Sequence, residues 1–162
     1  MRLFTTGGTI DGANLVTRAS RPESDAARWL SRRNDLELTV VPILNKDSRT
    51  IDDADRQTIA HAVASAPESH ILITHGTFTM PETGRVLQRT LAGSGKTVVL
   101  VGAWVPLHEP ASDAPQQLEL ALAALRDSPP GVYIAMDGRL HDPANTEKSE
   151  VEGKSRFIER PG

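Results

Sequence analysis

Short runs of apolar and β-branched residues recur along the chain and predict five strands. These runs cover residues 2–6, 36–44, 70–74, 97–101 and 132–136. Two of them, HILIT and TVVLV, are almost continuously apolar. Such continuity is typical of strands that are buried on both faces of a parallel sheet.

Four helices are predicted between these strands from apolar spacing and from helix start signals. Capping-box spacings at residues 20–23, 50–53 and 79–82 precede three of the apolar stretches. The fourth helix, over residues 115–125, places Leu118, Ala121, Leu122 and Leu125 on one stripe. Because strands and helices alternate, the pattern predicts an α/β fold with a doubly wound, mainly parallel sheet and right-handed crossovers.

The length of 162 residues fits one domain with one core. We assign residues 1–142 to this α/β domain and residues 143–162 to a charged C-terminal tail. The sizeable apolar residues of the tail are only Val151, Phe157 and Ile158. The pattern leaves three alternatives open: the tail drapes over the domain, reaches a partner subunit, or is disordered.

The formal charge of −3 and a pI near 5.9 argue against nucleic-acid binding. The absence of cysteine excludes disulfides, thiolate metal sites and a cysteine nucleophile. No apolar run approaches the ~20 residues of a membrane span, and no signal-peptide pattern is seen, so we expect a cytoplasmic protein that does not bind membranes. The histidines show no metal-ligand spacing. We therefore expect no metal and no cofactor.

Polar, glycine-containing loops follow four of the predicted strands. They carry TGGT at residues 6–9, NKDS at 45–48, THGT at 74–77, and GAW at 102–104 running on to Ser112 and Asp113. In an open parallel sheet these loops converge at the carboxyl ends of the strands, where ligands bind. The glycines permit positive φ and leave backbone amides free to face an anion or oxyanion.

Each of these signals also has an ordinary structural interpretation. A Gly-Gly pair after a strand is commonly a turn, and the phosphate-binding and dinucleotide-binding glycine patterns are absent. His75 is more often a hydrogen-bonded structural histidine, Thr77 and Thr79 are possible helix caps, and Trp29 and Trp104 fit packing roles. Two threonines on neighbouring loops nevertheless suit nucleophilic hydrolysis, because a hydroxyl nucleophile needs a proton acceptor and amide donors nearby.

Six motifs from residue 5 to about residue 139 together resemble the bacterial-type L-asparaginases, in particular their short, single-domain kind. The motifs are TTGGTI at 5–10, KDS at 46–48, ITHGTFTM at 73–80, KTVVLVGA at 96–103, SDAP at 112–115 and PPGVYIAMDG at 129–138. Their order and spacing are far more specific than any one motif. The resemblance implies the fold of an asparaginase N-terminal domain and an amidohydrolase acting on a small-molecule substrate.

By position, the resemblance assigns Thr9 as the nucleophile that forms an acyl-enzyme and Thr77 as the second essential threonine. Ser48 matches a serine that binds the substrate's α-carboxylate, and Arg49 lies where a neighbouring binding residue would be. The loops of the two threonines, including Gly8 and Gly76, supply amides to the oxyanion in such enzymes. The resemblance also implies a homodimer or homotetramer, in which Lys148, Lys154 or Arg156 of the tail could reach another subunit's site.

Three positions depart from the family pattern. Phe78 stands where the family has an aspartate that holds the substrate's α-ammonium group, and Asn14 stands where short relatives have a tyrosine that helps to activate the nucleophile. The lysine of the family's triad-like group has no clear counterpart, since alignment through SDAP places Ser128 there. Burial of an unpaired ammonium costs several kcal/mol, so free L-asparagine should bind badly. We still count Phe78 and Asn14 among the substrate-binding positions.

Three hypotheses follow. The first is an amidohydrolase that uses Thr9 on a carboxylate-bearing amide whose amino group is absent or masked. The second is a weak L-asparaginase, and the third is a non-catalytic protein that binds a ligand or stabilises a partner. Turnover that depends on Thr9 separates the first two hypotheses from the third.

Overall fold

The computed structural model describes residues 1–12 and 23–161, and its main sheet has six strands in the order β2-β1-β3-β4-β5-β6. The strands are β1 (Arg2–Thr5), β2 (Thr39–Pro42), β3 (His70–Thr74), β4 (Thr97–Val101), β5 (Gly131–Met136) and β6 (Arg139–His141). The first five are parallel and β6 is antiparallel to β5. The second strand is shorter than predicted and lies at the edge of the sheet, a position that tolerates the missing N–H of Pro42.

Four helices cover both faces of the sheet. They are α1 (Asp25–Ser31), α2 (Asp53–Ser65), α3 (Met80–Thr90) and α4 (Ala114–Asp127), and short 3-10 turns occur at Thr9–Asp11, Ser48–Thr50 and Pro143–Asn145. One buried apolar cluster joins α1 and α4 to one face, and a second joins α2 and α3 to the other. The predicted doubly wound α/β fold is therefore confirmed.

The helix starts agree only in part with the predicted capping boxes. In α2, Asp52 accepts a hydrogen bond from the Asp55 N–H, and the Asp55 carboxylate accepts from the Asp52 N–H, so the box begins at Asp52. In α1 the cap is Ser24, which accepts from the Ala27 N–H. Residues 20–22 of the box predicted there lie outside the described residues.

Two hairpins after β5 were not among the predicted elements. Asp137 and Gly138 connect β5 to β6 with φ of 54° and 70°. Glu152 and Gly153, with φ of 52° and 72°, connect β7 (Thr146–Val151) to β8 (Lys154–Glu159). Two consecutive residues with positive φ form the tight turn that matches strand twist.

The predicted tail thus forms the β7–β8 hairpin. Phe157 on β8 is 2% exposed and belongs to the apolar cluster of α2 and α3. Of the alternatives for the tail, the structure shows packing on the domain.

The sheet order places a crevice beside β1. Because β2 lies on one side of β1 and β3 on the other, the direction of the chain across the sheet reverses beside β1, and a crevice forms at the carboxyl edge. None of the described helices is long and apolar enough to cross a membrane. Across residues 1–12 and 23–161, no group of three or more histidine, aspartate or glutamate side chains could hold a metal ion.

Candidate active site

Glycines bring three loops into backbone contact at this crevice. A Cβ added to Gly8 would lie 2.6 Å from the Cα of Gly76, and one added to Gly76 would lie 2.7 Å from Ser48 Oγ. Gly8 also has a φ of 81°, a conformation that L side chains rarely adopt. The loops after β1 and β3 and the Ser48–Thr50 turn therefore approach one another as closely as glycine allows.

Each of the two predicted catalytic threonines directly follows one of these glycines. Thr9 begins the 3-10 turn after Gly8 and is half-buried, whereas Thr77 is 8% exposed. In the part of the chain that the structure describes, the backbone N–H groups of Thr9 and Thr77 donate to no protein acceptor. Two such amides on touching loops can stabilise a developing oxyanion.

Asp11, which sequence reasoning did not single out, fixes the Thr9 turn. Its Oδ2 accepts hydrogen bonds from the Gly7 N–H at 2.9 Å and from Thr74 Oγ1 at 2.6 Å. Its Oδ1 accepts from Ser24 Oγ, the cap of α1. Burial raises the pKa of Asp11 to about 6, although these three donors work in the opposite direction. Asp11 thereby ties the Thr9 turn to β3 and to α1.

Ser48 links the second and third loops rather than facing open solvent. It is 1% exposed, and its Oγ accepts from the Phe78 N–H at 3.0 Å. Thr79 Oγ1 donates to the Ser48 carbonyl at 2.7 Å, so Thr79 does not use its side chain to cap α3. The Ser48 hydroxyl can still donate its own proton to a ligand, because a hydroxyl donates and accepts at once.

Phe78 carries two cations against its ring. Its side chain is 47% exposed, the Arg49 guanidinium carbon lies 4.7 Å from the ring centroid, and Lys148 Nζ lies 3.4 Å from it. Arg49 is also paired with Asp47, whose Oδ2 accepts from Arg49 Nε at 2.9 Å and from Nη2 at 2.6 Å. This pairing lowers the pKa of Asp47. The Asp47 carboxylate is therefore already engaged by Arg49.

Lys148 lies in this site, whereas the sequence analysis expected it to reach the site of another subunit. It lies on β7, and its Nζ donates to Thr77 Oγ1 of the same chain at 3.1 Å. Burial, followed by the charge of Arg49, lowers the pKa of Lys148 and so favours its neutral form.

The structure corrects two expectations about this lysine. Ser128, the position that alignment offered for the family's lysine, ends α4 just before β5 begins, at the opposite edge of the sheet from Thr77. Of the three tail cations considered for another subunit's site, Lys148 lies in the site of its own chain, while Lys154 and Arg156 are exposed. The Asp137-Gly138 and Glu152-Gly153 pairs were sequence signals for the two turns, but neither pair indicates that Lys148 lies beside Thr77.

His75 has a structural role, in agreement with the ordinary interpretation of its sequence context. Its Nδ1–H donates to the Gly76 carbonyl at 2.6 Å, and its Nε2 accepts from Thr83 Oγ1 at 2.8 Å. Burial lowers the pKa of His75 to about 4, so the ring is neutral near pH 7. His75 thereby holds the loop that carries Thr77 without taking part in proton transfer.

Asn14, the remaining predicted site residue, lies outside the described residues. The structure brings the other predicted site residues together at the carboxyl edge of the sheet and adds Lys148 to them. These residues are Gly8, Thr9, Ser48, Arg49, Gly76, Thr77 and Phe78.

Comparison with known families identifies the family of the chain. The family model described as "Asparaginase, N-terminal" matches residues 1–160. The chain belongs to the asparaginase N-terminal family. It is 36% identical over 136 residues to an L-asparaginase of Thermococcus kodakarensis, covering 80% of this chain and 42% of that protein.

Other relatives of this asparaginase-family chain include a component of the glutamyl-tRNA(Gln) amidotransferase of Thermoplasma acidophilum. The two are 32% identical over 126 residues, which cover 74% of this chain and 31% of that protein. The fold is similar to that of the thermostable L-asparaginase from T. kodakarensis, with a TM-score of 0.82 and 30% identity over 98% of this chain and 51% of that structure. The chain thus spans about half of that structure and less than half of these curated relatives.

Proposed function

We propose that this chain is an amidohydrolase that uses Thr9 as nucleophile on a small carboxylate-bearing amide whose α-amino group is absent or masked. The observation that carries the proposal is Phe78, with Arg49 and Lys148 against its ring, at the position where the family has a carboxylate for the substrate's ammonium group. Retention of Thr9, Thr77 and Ser48 supports the reaction class.

The charges around Phe78 disfavour an ammonium group and favour an anion. A substrate ammonium placed beside the ring would meet the like charge of Arg49 and would find Asp47 already paired with Arg49. A carboxylate in the same region could accept hydrogen bonds from Arg49 and from Ser48, and charge-assisted bonds are the stronger kind. Substrates that keep the carboxylate and lack the free amino group therefore suit the site.

In the proposed reaction the Thr9 hydroxyl attacks the side-chain amide carbon and forms a tetrahedral intermediate. The N–H groups of Thr9 and Thr77 stabilise its oxyanion, as amide donors do in acyl transfer. The C–N bond then breaks, the nitrogen leaves as ammonia after taking up the proton that the Thr9 hydroxyl released on attack, and a threonyl ester remains. Water hydrolyses this ester to the free acid and restores Thr9.

Lys148 is the group that we assign to proton transfer near Thr77. Its Nζ lies 3.1 Å from Thr77 Oγ1, and its lowered pKa increases the fraction of neutral amine that can accept a proton. The proposed proton acceptor thus belongs to the same chain as both threonines.

Ammonia release tests this proposal. The panel contains L-asparagine, L-glutamine, and N-acylated or deaminated analogues of both, each with the purified protein, Thr9→Ala and Thr9→Ser. We expect the masked amides to be preferred and Thr9→Ala to lower kcat by roughly 10³-fold or more, while Thr9→Ser keeps a larger share of the activity. Full turnover by Thr9→Ala would exclude Thr9 as the nucleophile.

The same panel separates the two other hypotheses. Preference for free L-asparagine would indicate a weak L-asparaginase. Thermal stabilisation by a panel compound without any ammonia release would instead indicate a ligand-binding protein.

We also propose, from the family resemblance alone, that the chain forms a homodimer or homotetramer and acts in the cytoplasm. The family relatives carry names that point to both compartments, with a probable cytoplasmic L-asparaginase from Campylobacter jejuni and a probable periplasmic one from Haemophilus influenzae. Light scattering of the purified chain tests the assembly, and a stable monomer at micromolar concentration would contradict it.

A further inference from the structure

Asp137 is a junction between the sheet, the loop after β4 and the β7–β8 hairpin. One carboxylate oxygen accepts from the Trp104 indole N–H at 2.7 Å, and the other accepts from the Phe157 N–H at 2.8 Å. Asp137 itself lies in the β5–β6 turn with a φ of 54°. Neither the proposed reaction nor the family motifs give this carboxylate a role.

Both groups that Asp137 holds are adjacent to Lys148. Phe157 is the residue paired with Lys148 across the hairpin, and directly opposed residues of an antiparallel pair project from the same face. The Trp104 ring lies 5.8 Å from the Phe157 ring and 5.2 Å from Lys148 Nζ. Asp137 therefore fixes both the strand opposite Lys148 and the aromatic surface beside its ammonium group.

We propose that Asp137 is a positioning residue that sets the location of Lys148 against Thr77 through Trp104 and β8. This inference rests on the proposed function for the catalytic meaning of Lys148, while the positioning itself stands on the contacts of the hairpin. Asp137 does not touch Thr77 or the proposed substrate, so its effect on the reaction passes through Lys148.

A separate set of contacts attaches the start of the hairpin. Arg85 on α3 donates to the carbonyls of Pro143 and Thr146 at 3.1 and 3.2 Å, and Gln88 Nε2 donates to Asp142 at 2.7 Å. Loss of the Asp137 bonds therefore displaces the part of the hairpin that carries Lys148 without releasing the hairpin from the domain.

Asp137→Asn is the informative variant. Asparagine tolerates positive φ, so the turn is preserved, but its single carbonyl oxygen cannot take the place of two carboxylate oxygens facing two N–H donors. Trp104→Phe removes one of these donors and keeps an aromatic ring. Gln88→Ala, which removes the exposed bond to Asp142, is the matched control for general loosening of the hairpin.

The first arm of the test is a double-mutant cycle on ammonia release. We expect Asp137→Asn to lower kcat by roughly 10–100-fold with little change in KM, since small misplacements of a catalytic group have effects of this size. In the pH profile of kcat, the part that rises toward alkaline pH should move toward the ordinary pKa of lysine. In a Lys148→Met background the loss should disappear. An equal loss with and without Lys148 would overturn the proposal.

The second arm does not depend on activity. The rate at which each lysine is acetylated is followed from neutral to strongly alkaline pH by mass spectrometry, with exposed Lys154 of the same hairpin as internal reference. In Asp137→Asn we expect a several-fold higher limiting rate at Lys148 and an upward shift of its pKa, with neither change in Gln88→Ala. Unchanged Lys148 labelling in Asp137→Asn would overturn the inference, whereas altered labelling in a chain without turnover would refute only the proposed function.

Discussion

At the scale of single residues, the site is characterised by one exchange of charge. Where the family has an acid, Phe78 presents an exposed ring to Arg49 and Lys148. A cation near an aromatic face is held by about 0.5–2 kcal/mol, less than a paired carboxylate can supply. Lys148 therefore keeps its place at Thr77 while its pKa remains low.

Phe78→Asp should reverse the proposed preference for amides whose α-amino group is absent or masked. A carboxylate at this position can accept a charge-assisted hydrogen bond from a substrate ammonium, which is worth about 1.5–3 kcal/mol. We expect kcat/KM for L-asparagine to rise by roughly 10–100-fold in the ammonia-release assay, and that for the masked amides to fall. Phe78→Leu, which removes the ring without adding charge, is the control. A similar gain on L-asparagine in both variants would show that the ring merely obstructs the substrate.

At the scale of elements, the geometry of the site depends on how closely its loops approach. Gly8 and Gly93 both have positive φ, at 81° and 74°, but their surroundings differ. A Cβ at Gly8 would overlap the backbone of Gly76, whereas one at Gly93 would meet nothing within 4 Å. Gly8 also has a ψ of 179°, a conformation essentially restricted to glycine, so the pair measures loop contact together with this additional backbone strain.

Alanine substitution at the two glycines measures this contact. Gly93→Ala should lower the free energy of unfolding by about 1–2 kcal/mol from the left-handed conformation alone. Gly8→Ala should cost about 1–3 kcal/mol more, because the loops must separate and because its backbone conformation is essentially restricted to glycine, and it should also abolish ammonia release. Urea unfolding of both variants provides the comparison. Equal destabilisation would mean that neither the Gly8–Gly76 contact nor the Gly8 backbone conformation adds a cost.

The elements also show why sequence reasoning reached some parts of the site and missed others. The loops of Thr9 and Thr77 follow buried strands whose apolar runs are unambiguous, so their convergence could be predicted. Lys148 depends on a charged hairpin whose strands have little apolar alternation, and its position is set by tertiary contacts of Phe157. Local patterns do not encode such contacts.

Asp11 illustrates the same limit in another way. It follows the TGGTI motif as an ordinary acidic residue, and its importance comes from donors at Thr74 and Ser24, which are distant in sequence. The fold class was predictable because it depends on periodicity, whereas this network depends on which loops meet.

At the scale of the whole molecule, two buried groups make opposite contributions to stability in acid. The pKa of Asp11 is raised from 3.8 to about 6, so the native state binds a proton more tightly there and gains stability as the pH falls through this window. The pKa of His75 is lowered from 6.5 to about 4, so the unfolded state binds the proton more tightly and the native state loses stability as the pH falls. Each effect corresponds to about 3 kcal/mol, and they largely cancel between pH 4 and 6.

Asp11→Asn should remove the stability that the native protein gains when Asp11 is protonated in acid. An amide can retain the three hydrogen bonds of a protonated Asp11, since its oxygen accepts from Gly7 and Thr74 and its NH₂ group can donate to Ser24. We therefore expect a folded variant whose melting temperature falls more steeply than that of the parent from pH 6.5 to pH 4.5. Parallel thermal melts of the two proteins across this range provide the measurement. Indistinguishable slopes would mean that Asp11 titrates near its ordinary pKa.

The β7–β8 hairpin also divides the site into a fixed part and an exchangeable part. Both threonines and Ser48 belong to loops of the sheet, while Lys148 arrives on a separate two-stranded unit that ends in an exposed Glu152-Gly153 turn. Substitution of Lys148 or of the exposed hairpin residues can therefore change the chemistry beside Thr77 while the loops that carry Thr9 and Ser48 stay in place. For protein engineering, the hairpin is therefore a segment that could be redesigned together with position 78 without rebuilding the sheet.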